Sequence, residues 1–210
     1  DIDIQVNALE QKSLSWNVGL NITYNKNEVI SLPDNGMPQN RIGGIYNPGT
    51  DIGVGGIAEG EPLGQIYGFV ADFIIDNWEQ ANNAHYDYNA KGYNPEDGTM
   101  VKGRKIPGDM EWVDKDGDDD IDDYDQFVLG NQIPYLLGGF TNNLSYKNFD
   151  LKIFMDYAIG HSISDKVIRR ADANALDGIS RPTTDVLGAW KEIGDVAAGK
   201  ATMPRYDYHD

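Results

Sequence analysis

Cysteine is absent from the 210 residues, which removes disulfides, zinc–thiolate sites and cysteine nucleophiles together. Long apolar runs are absent too, and nothing approaches the roughly 18 consecutive apolar residues of a membrane-spanning helix. That excludes helical spanning only, because the strands of a membrane β-barrel alternate and look half apolar. Basic charge is scarce: 17 Lys and Arg stand against 34 Asp and Glu, a formal net charge of −17. So few cations cannot neutralise phosphates in number, and nucleic acid is excluded as a partner. The start at Asp1 lacks an initiating Met, a basic n-region and an apolar h-region, and reads as processed or cut from a longer chain.

What is present is period-2 alternation, the pattern of a strand with two different faces. From Leu14 to Tyr24 one face is Leu14, Trp16, Val18, Leu20, Ile22 and Tyr24, and the other is Ser, Asn, Gly, Asn and Thr. Residues 1–8 set Ile2, Ile4, Val6 and Ala8 against Asp1, Asp3, Gln5 and Asn7. Residues 149–159 set Phe149, Leu151, Ile153, Met155, Tyr157 and Ile159 against Asp150, Lys152 and Asp156, with Phe154 and Ala158 as exceptions. In the stretch 135–146 before it, Phe140, Leu144 and Tyr146 share a face. Short connections at 10–13 and 147–148 make these hairpins.

Two architectures fit such strands. In a soluble sandwich the apolar face is core; in an outer-membrane barrel it meets lipid while the polar face lines a wet lumen. Strands of eleven residues at about 3.3 Å each are long enough for a tilted bilayer crossing. Trp16, Tyr24, Tyr146, Phe149 and Tyr157 lie toward strand ends, as an interfacial aromatic girdle does. Tight turns on one side and long Gly-, Asn- and Asp-rich stretches at 25–62 and 76–133 on the other are the barrel habit, the long ones lying outside the cell. In that arrangement 14–24 runs outward and 135–146 inward. Leu63–Ile75 then either pairs with an unplaced partner strand or belongs to the external loop. Beyond Ile159, residues 164–176 and 184–192 read as short helices stopping near Gly178 and Gly194.

The densest chemistry lies at 114–125, where eight aspartates and one lysine give a formal −7 in twelve positions. Carboxylates so close repel, and need a cation or full solvation. The spacing is that of an EF-hand-type loop with oxygen ligands at positions 1, 3, 5, 7, 9 and 12. Those are Asp114, Asp116, Asp118, Asp120 through its backbone carbonyl, Asp122 and Asp125, with Ile121 as the apolar anchor. The expected occupant is a structural Ca²⁺; the competing reading is a solvated acidic turn. Two departures stand out: position 6 is Asp119 where Gly makes the sharp turn, and position 12 is Asp rather than the longer Glu. His85, His161 and His209 are far apart with no triad or zinc spacing, and Gly53-Val54-Gly55-Gly56 has no following helix to hold a phosphate. No catalytic residue is expected. Asn21-Ile22-Thr23 and Asn143-Leu144-Ser145 match the glycosylation sequon but fall inside strands.

Five blocks in order resemble the SusC/RagA family of TonB-dependent outer-membrane transporters of Bacteroidota. Ser15-Trp16 through Tyr24-Asn25-Lys26-Asn27 looks like its SWxxxxNxxYNKN strand, and Gly60 to Phe69 like its GxPxGxxYGY segment. Pro107-Gly108-Asp109 through the acidic loop to Gly130-Asn131-Gln132-Ile133-Pro134 is similar to its calcium-loop block. Gly138 to Leu151 resembles its GGFxNxxxYKxFDLxxF hairpin, and Ala201 to Arg205 its ATxPR stretch. The resemblance implies an all-β fold: antiparallel strands forming part of a transmembrane β-barrel, with long extracellular loops and short helical pieces. It implies that residues 1–210 are an incomplete barrel segment of perhaps six strands, including about 1–9, 14–26, 134–147 and 149–161. Extracellular loops would cover about 27–62 and 76–133, and the plug domain would lie elsewhere. It further implies residence in the cell outer membrane among its lipids, import of glycans or oligopeptides with a SusD-like surface lipoprotein, and energy from the TonB complex through the missing N-terminal part. Polar strand residues Asn17, Asn21, Thr23, Asp150, Lys152 and Asp156 would line the lumen. Tyr46, Tyr67, Trp78, Tyr86, Tyr88 and Tyr93 would be stacking candidates, or simply pack the loops. The alternative is a soluble, calcium-stabilised extracellular β domain that binds carbohydrate or protein; an enzyme using two loop aspartates is the remaining reading.

Overall fold

The computed structural model describes residues 1–165 and 183–205 and contains two compact units. The first comprises residues 1–43, 55–66 and 128–163. Its centre is an antiparallel sheet of β1 (Ile2–Gln11), β2 (Leu14–Tyr24), β13 (Leu136–Tyr146) and β14 (Phe149–Ile159), in the order β1-β2-β13-β14. The intervening strands in chain order are β3 (Ile42–Asn47), β4 (Ile52–Ile57), β5 (Gln65–Gly68), β6 (Ala71–Ile74), β7 (Tyr86–Asp87), β8 (Lys91–Tyr93), β9 (Met100–Lys102), β10 (Met110–Trp112), β11 (Asp120–Ile121) and β12 (Phe127–Asn131).

Register follows from the two hairpin turns and the alternation. Gln11 faces Leu14, so the first loop is only Lys12-Ser13, tighter than residues 10–13. Tyr146 faces Phe149 across Lys147-Asn148, with Lys147 in the left-handed region at φ 53°. β2 pairs with β13 along its whole length, Tyr24 with Leu136 and Leu14 with Tyr146. This pairing settles the crossings: no strand lies between β2 and β13, the sheet holds four strands, and everything from 25 to 135 is one long connection. Leu63–Ile75 belongs to that connection. The four strands match the expected ones to within a few residues at each end.

The register gathers the alternating residues into two continuous faces. One carries Ile2, Ile4 and Val6, then Val18, Leu20 and Ile22, then Phe140 and Leu144, then Leu151, Ile153 and Met155. The expected Ala8 is displaced by a register shift between Asn7 and Leu9, which brings Leu9 opposite Trp16 instead. Near the turns this face carries Trp16, Tyr146 and Phe149, and at the far end Tyr24 and Tyr157. The other face carries Asp3, Gln5, Asn7, Asn17, Asn21, Thr141, Asn143, Lys152 and Asp156. Eleven residues spanning roughly 33 Å, tilted about 40°, rise roughly 25 Å, the height of the apolar band of outer-membrane barrels.

Among the described residues, the apolar side chains of this sheet are exposed or half-buried. Ile153 and Leu151 are 40% and 53% exposed, and Phe149 is 79% exposed. Among the described residues the buried apolar side chains are Val54, Ala58, Ile75, Ala81, Ile106, Ile121, Ala189 and Ala201, none of them in the four-stranded sheet. A soluble sandwich needs such a face as its core; this sheet supplies none.

The second unit comprises residues 44–54, 67–127 and 164–210, and holds most of that core. β6 pairs antiparallel with β10, β8 with β9, and β7 runs parallel to β11. A short helix α1 (Trp78–Asn82) starts at Asn77, whose side chain accepts the Gln80 N–H. The Asp76 carboxylate accepts N–H groups from Trp190 Nε1, Gly194, Val196 and Ala197, which ties residues 190–197 to the start of α1. Gly108, at φ 94°, lies so close to the Trp190 ring and the Arg205 side chain that a Cβ there would collide. Residues 184–192 form only a 3₁₀ turn at Thr184–Gly188, N-capped by Thr183. The expected helix at 164–176 lies almost entirely outside the described residues, as does His209.

Candidate metal centre

The acidic loop lies wholly in the second unit, held between β10 and β12. Asp114 anchors it: one carboxylate oxygen accepts the Gly117 N–H at 2.7 Å, the other the Asp119 N–H at 3.0 Å. Asp118 accepts the Asp120 N–H at 2.9 Å. At its end Asp122 caps the Asp123–Asp125 3₁₀ turn, and Asp122 and Asp125 form a reciprocal capping box. Asp125, 1% exposed, accepts Lys115 N–H at 2.8 Å through Oδ1 and Asp122 N–H at 2.7 Å through Oδ2. Ile121 is buried, as its anchor position requires.

Of the six expected ligands, the fold brings Asp114, Asp116 and Asp118 together, with one oxygen of each inside a common radius of 4.8 Å. Asp122 and Asp125 stand close enough to press electrostatically on Asp116. Desolvation first, then repulsion from Asp118, Asp125, Asp114 and Asp122, raises the Asp116 carboxyl above its ordinary range. A site that strains its own carboxylates in this way gains most from a bound cation. Burial also pushes Asp114 upward, but the N–H groups of Gly117 and Asp119 and the nearby His85 outweigh it and hold its carboxyl below the ordinary value. Asp120 lies in β11 with its side chain exposed, outside that cluster. The donor set is all oxygen, which suits Ca²⁺ rather than a soft metal.

The position-6 departure has a structural answer. Asp119 adopts φ 68°, the left-handed conformation that Gly takes at a sharp turn, and Asp is among the few residues that tolerate it. The loop therefore keeps its turn at an energetic cost. The short Asp at position 12 is used for backbone N–H groups, and reaches the ligand cluster less directly than a Glu.

A buried cluster beside the loop escaped sequence reading. Lys105 and Glu111, each 2% exposed, form an ion pair at 2.9 Å between Nζ and Oε1, and His85 Nδ1 lies 2.8 Å from the same oxygen. No motif marks residues 85, 105 and 111 as partners; chain separation hides them. The stacking candidates have local partners, yet Tyr86, Tyr88 and Tyr93 stay 43%, 62% and 40% exposed. Trp78 meets Tyr93 edge-on at 5.8 Å, Lys102 Nζ sits 3.6 Å over the Tyr88 ring, Tyr86 covers Gly103, and Tyr46 donates to Asp51.

Comparison with known proteins bears out the resemblance drawn from the motifs. No family model matches the chain. TonB-dependent receptor P3 of Formosa agariphila is 26% identical over 192 residues, covering 90% of this chain and 17% of that protein. TonB-dependent receptor P39 of the same organism is 27% identical over 217 residues, 93% of this chain and 20% of that protein. The solved structure of the RagAB peptide transporter superposes with a TM-score of 0.55 at 16% identity, over 99% of this chain and 19% of that one. The chain is thus similar to TonB-dependent receptors in sequence, carries the fold of part of such a barrel, and spans about a fifth of the length of these relatives.

Proposed function

We propose, from the likeness to TonB-dependent receptors in sequence and fold, that these residues serve as part of an outer-membrane transporter. It imports oligopeptides or glycans with a SusD-like surface lipoprotein and draws energy from the TonB complex. The carrying observation is the four-stranded sheet: a continuous apolar face with aromatics at both ends, none of whose apolar side chains is buried among the described residues. In water such a face is a liability; against lipid it is the stable solution. The opposite face, rich in Asn, Asp and Lys, lines the lumen. The two edge strands β1 and β14 pair with further barrel strands, since open edges are not tolerated in a bilayer.

Residues 25–135 and the Ca²⁺ loop lie on the extracellular side, where substrate and the lipoprotein partner are met. Ca²⁺, held by Asp114, Asp116 and Asp118 with Asp120, Asp122 and Asp125 around them, supplies charge neutralisation that keeps this connection in one conformation. Two of the relatives being TonB-dependent receptors of Formosa agariphila, and a similar solved structure being a peptide transporter, supports nutrient uptake without choosing between the substrate classes.

These 210 residues carry no cysteine, so each thiol introduced here is the only one in this segment, and any cysteine elsewhere in the intact protein is first replaced by serine. Single cysteines at Ile4, Leu20 and Ile153, and others at Gln5, Asn143 and Lys152, are introduced into the intact protein in proteoliposomes. A lipid-phase probe should label the first set, and a water-soluble maleimide the second. Equal reaction of both sets with the aqueous reagent would sink the transporter reading. Deleting the gene and following uptake of defined peptides and glycans then selects the substrate class.

A further inference from the structure

We infer that His85, Asp114 and Asp119 form a second cation site, for a divalent transition metal of the Zn²⁺ class, at the side of the acidic loop and sharing Asp114 with the expected calcium position. Backbone pairing creates it. β7 runs parallel to β11 with Tyr86 opposite Asp120, and the Tyr86 N–H is bonded to the Asp119 carbonyl at 3.1 Å. That register sets the preceding residue, His85, beside Asp119. His85 Nε2 then lies 3.9 Å from Asp114 Oδ2 and 4.0 Å from Asp119 Oδ1, and one ligand atom from each of the three residues falls within 4.8 Å of the others.

The ring is held from its opposite side. Glu111, paired with the Lys105 ammonium, lies 2.8 Å from His85 Nδ1, placed to accept an Nδ1–H, while Nε2 faces the two aspartates and is the nitrogen left for an ion. Carboxylate–imidazole–metal is the usual support for a histidine ligand, fixing the ring and raising its basicity. The Nε2-to-oxygen distances are too long for hydrogen bonds. They suit an ion between the groups: with metal–ligand bonds of about 2.0–2.2 Å, a tetrahedral arrangement needs separations of roughly 3.4 Å, so each histidine-to-carboxylate edge must close by about half an ångström. One imidazole with carboxylates favours a borderline metal over Ca²⁺. Accessibility is graded, with the Asp114 side chain 9% exposed, His85 34% and Asp119 96%, so an ion enters from the Asp119 side and keeps water in its remaining positions.

Asp119 is thus useful twice: it makes the left-handed turn at φ 68°, where Gly would be easier, and supplies a carboxylate that Gly could not. The site links residues 85–87 to the acidic loop, and stands whether or not the loop itself holds Ca²⁺.

The test is titration of Zn²⁺ into the intact protein in detergent with Ca²⁺ saturating, followed by calorimetry, with Co²⁺ absorption as a spectroscopic check. One Zn²⁺ should bind, and Co²⁺ should give a nitrogen-containing ligand-field spectrum. His85→Gln and Asp119→Gly should each weaken binding by roughly 10- to 100-fold, the scale on which metal sites respond to lost support. Asp119→Gly is the safer variant, because Gly relaxes the turn, so it should retain stabilisation by Ca²⁺ while losing Zn²⁺ binding. Absence of Zn²⁺ binding with Ca²⁺ present overturns the site. So does binding that survives both variants, or binding that only Asp116→Asn removes, which would mean Zn²⁺ had merely occupied the calcium loop.

Discussion

At Asn142 a polar side chain stands on the apolar face of the sheet, between Phe140 and Leu144. It is tolerated because the Trp16 indole N–H, diagonal to it on β2, donates to its carbonyl oxygen. Trp16→Phe leaves that amide without its donor in an apolar setting, at a cost of about 1–3 kcal/mol. Trp16→Phe combined with Asn142→Leu should recover most of the loss, read as urea unfolding of the protein in bilayers; a simple sum of two losses would refute the pairing. Gly138 is a second constrained position on this face: the Tyr157 ring crosses it and the Tyr157 hydroxyl donates to the Asn21 carbonyl at 3.3 Å. Gly138→Val should displace Tyr157 and reduce the heat-resistant folded band on gels. Asp76 is the residue-scale key to the second unit. Burial pushes its carboxyl up, but four N–H donors including Val196 and Trp190 win, and it is held below the ordinary range. A depressed carboxylate stabilises the fold above its unfolded value, about 3.9, and that stability is lost as pH falls through the lower folded value. Acid titration should therefore free residues 190–197 below about pH 4, detectable by hydrogen exchange, and Asp76→Asn should do so at neutral pH.

Among elements, the hairpins were legible and the loop elements were not. β1, β2, β13 and β14 are long, alternate apart from residues such as Asn142 and Phe154, and are joined in pairs by two-residue turns, so periodicity and turn length define them to within a few residues. The bulge after Asn7 was invisible, because an extra residue changes register without disturbing composition. β6 to β11 are two to four residues long, below the length at which alternation means anything; β6 with β10 and β7 with β11 exist only through partners far along the chain, while β8 and β9 form a local hairpin. The acidic loop falls between these cases. Its ligand spacing was readable, yet the left-handed Asp119 and the use of Asp122 and Asp125 as caps emerge only in the fold. If the loop holds Ca²⁺, adding the ion to about 100 times its dissociation constant should stabilise this unit by about 2.7 kcal/mol. Asp116→Asn should abolish that gain and Asp120→Asn, which keeps the backbone carbonyl, should preserve it; equal behaviour of the two variants in thermal melts would remove the calcium assignment.

For the whole molecule, the sheet and the second unit make opposite demands on solvent. The sheet exposes its apolar residues, whereas Ile75, Ile106 and Ile121 are buried in the second unit. Transfer from detergent to water should aggregate the protein through the sheet while leaving exchange protection around Ile75 and Ile121 intact; protection of the sheet in plain water would contradict its lipid contact. The sequence alone determined the strands, their two faces, the acidic loop and the family likeness, because alternation, turn length and local motifs are properties of neighbouring residues. Tertiary structure alone decided that β2 meets β13 directly, that residues 25–135 form one excursion, and that His85, Lys105 and Glu111 meet beside Asp114. Those outcomes depend on contacts between residues distant in the chain, whose energies no local pattern encodes.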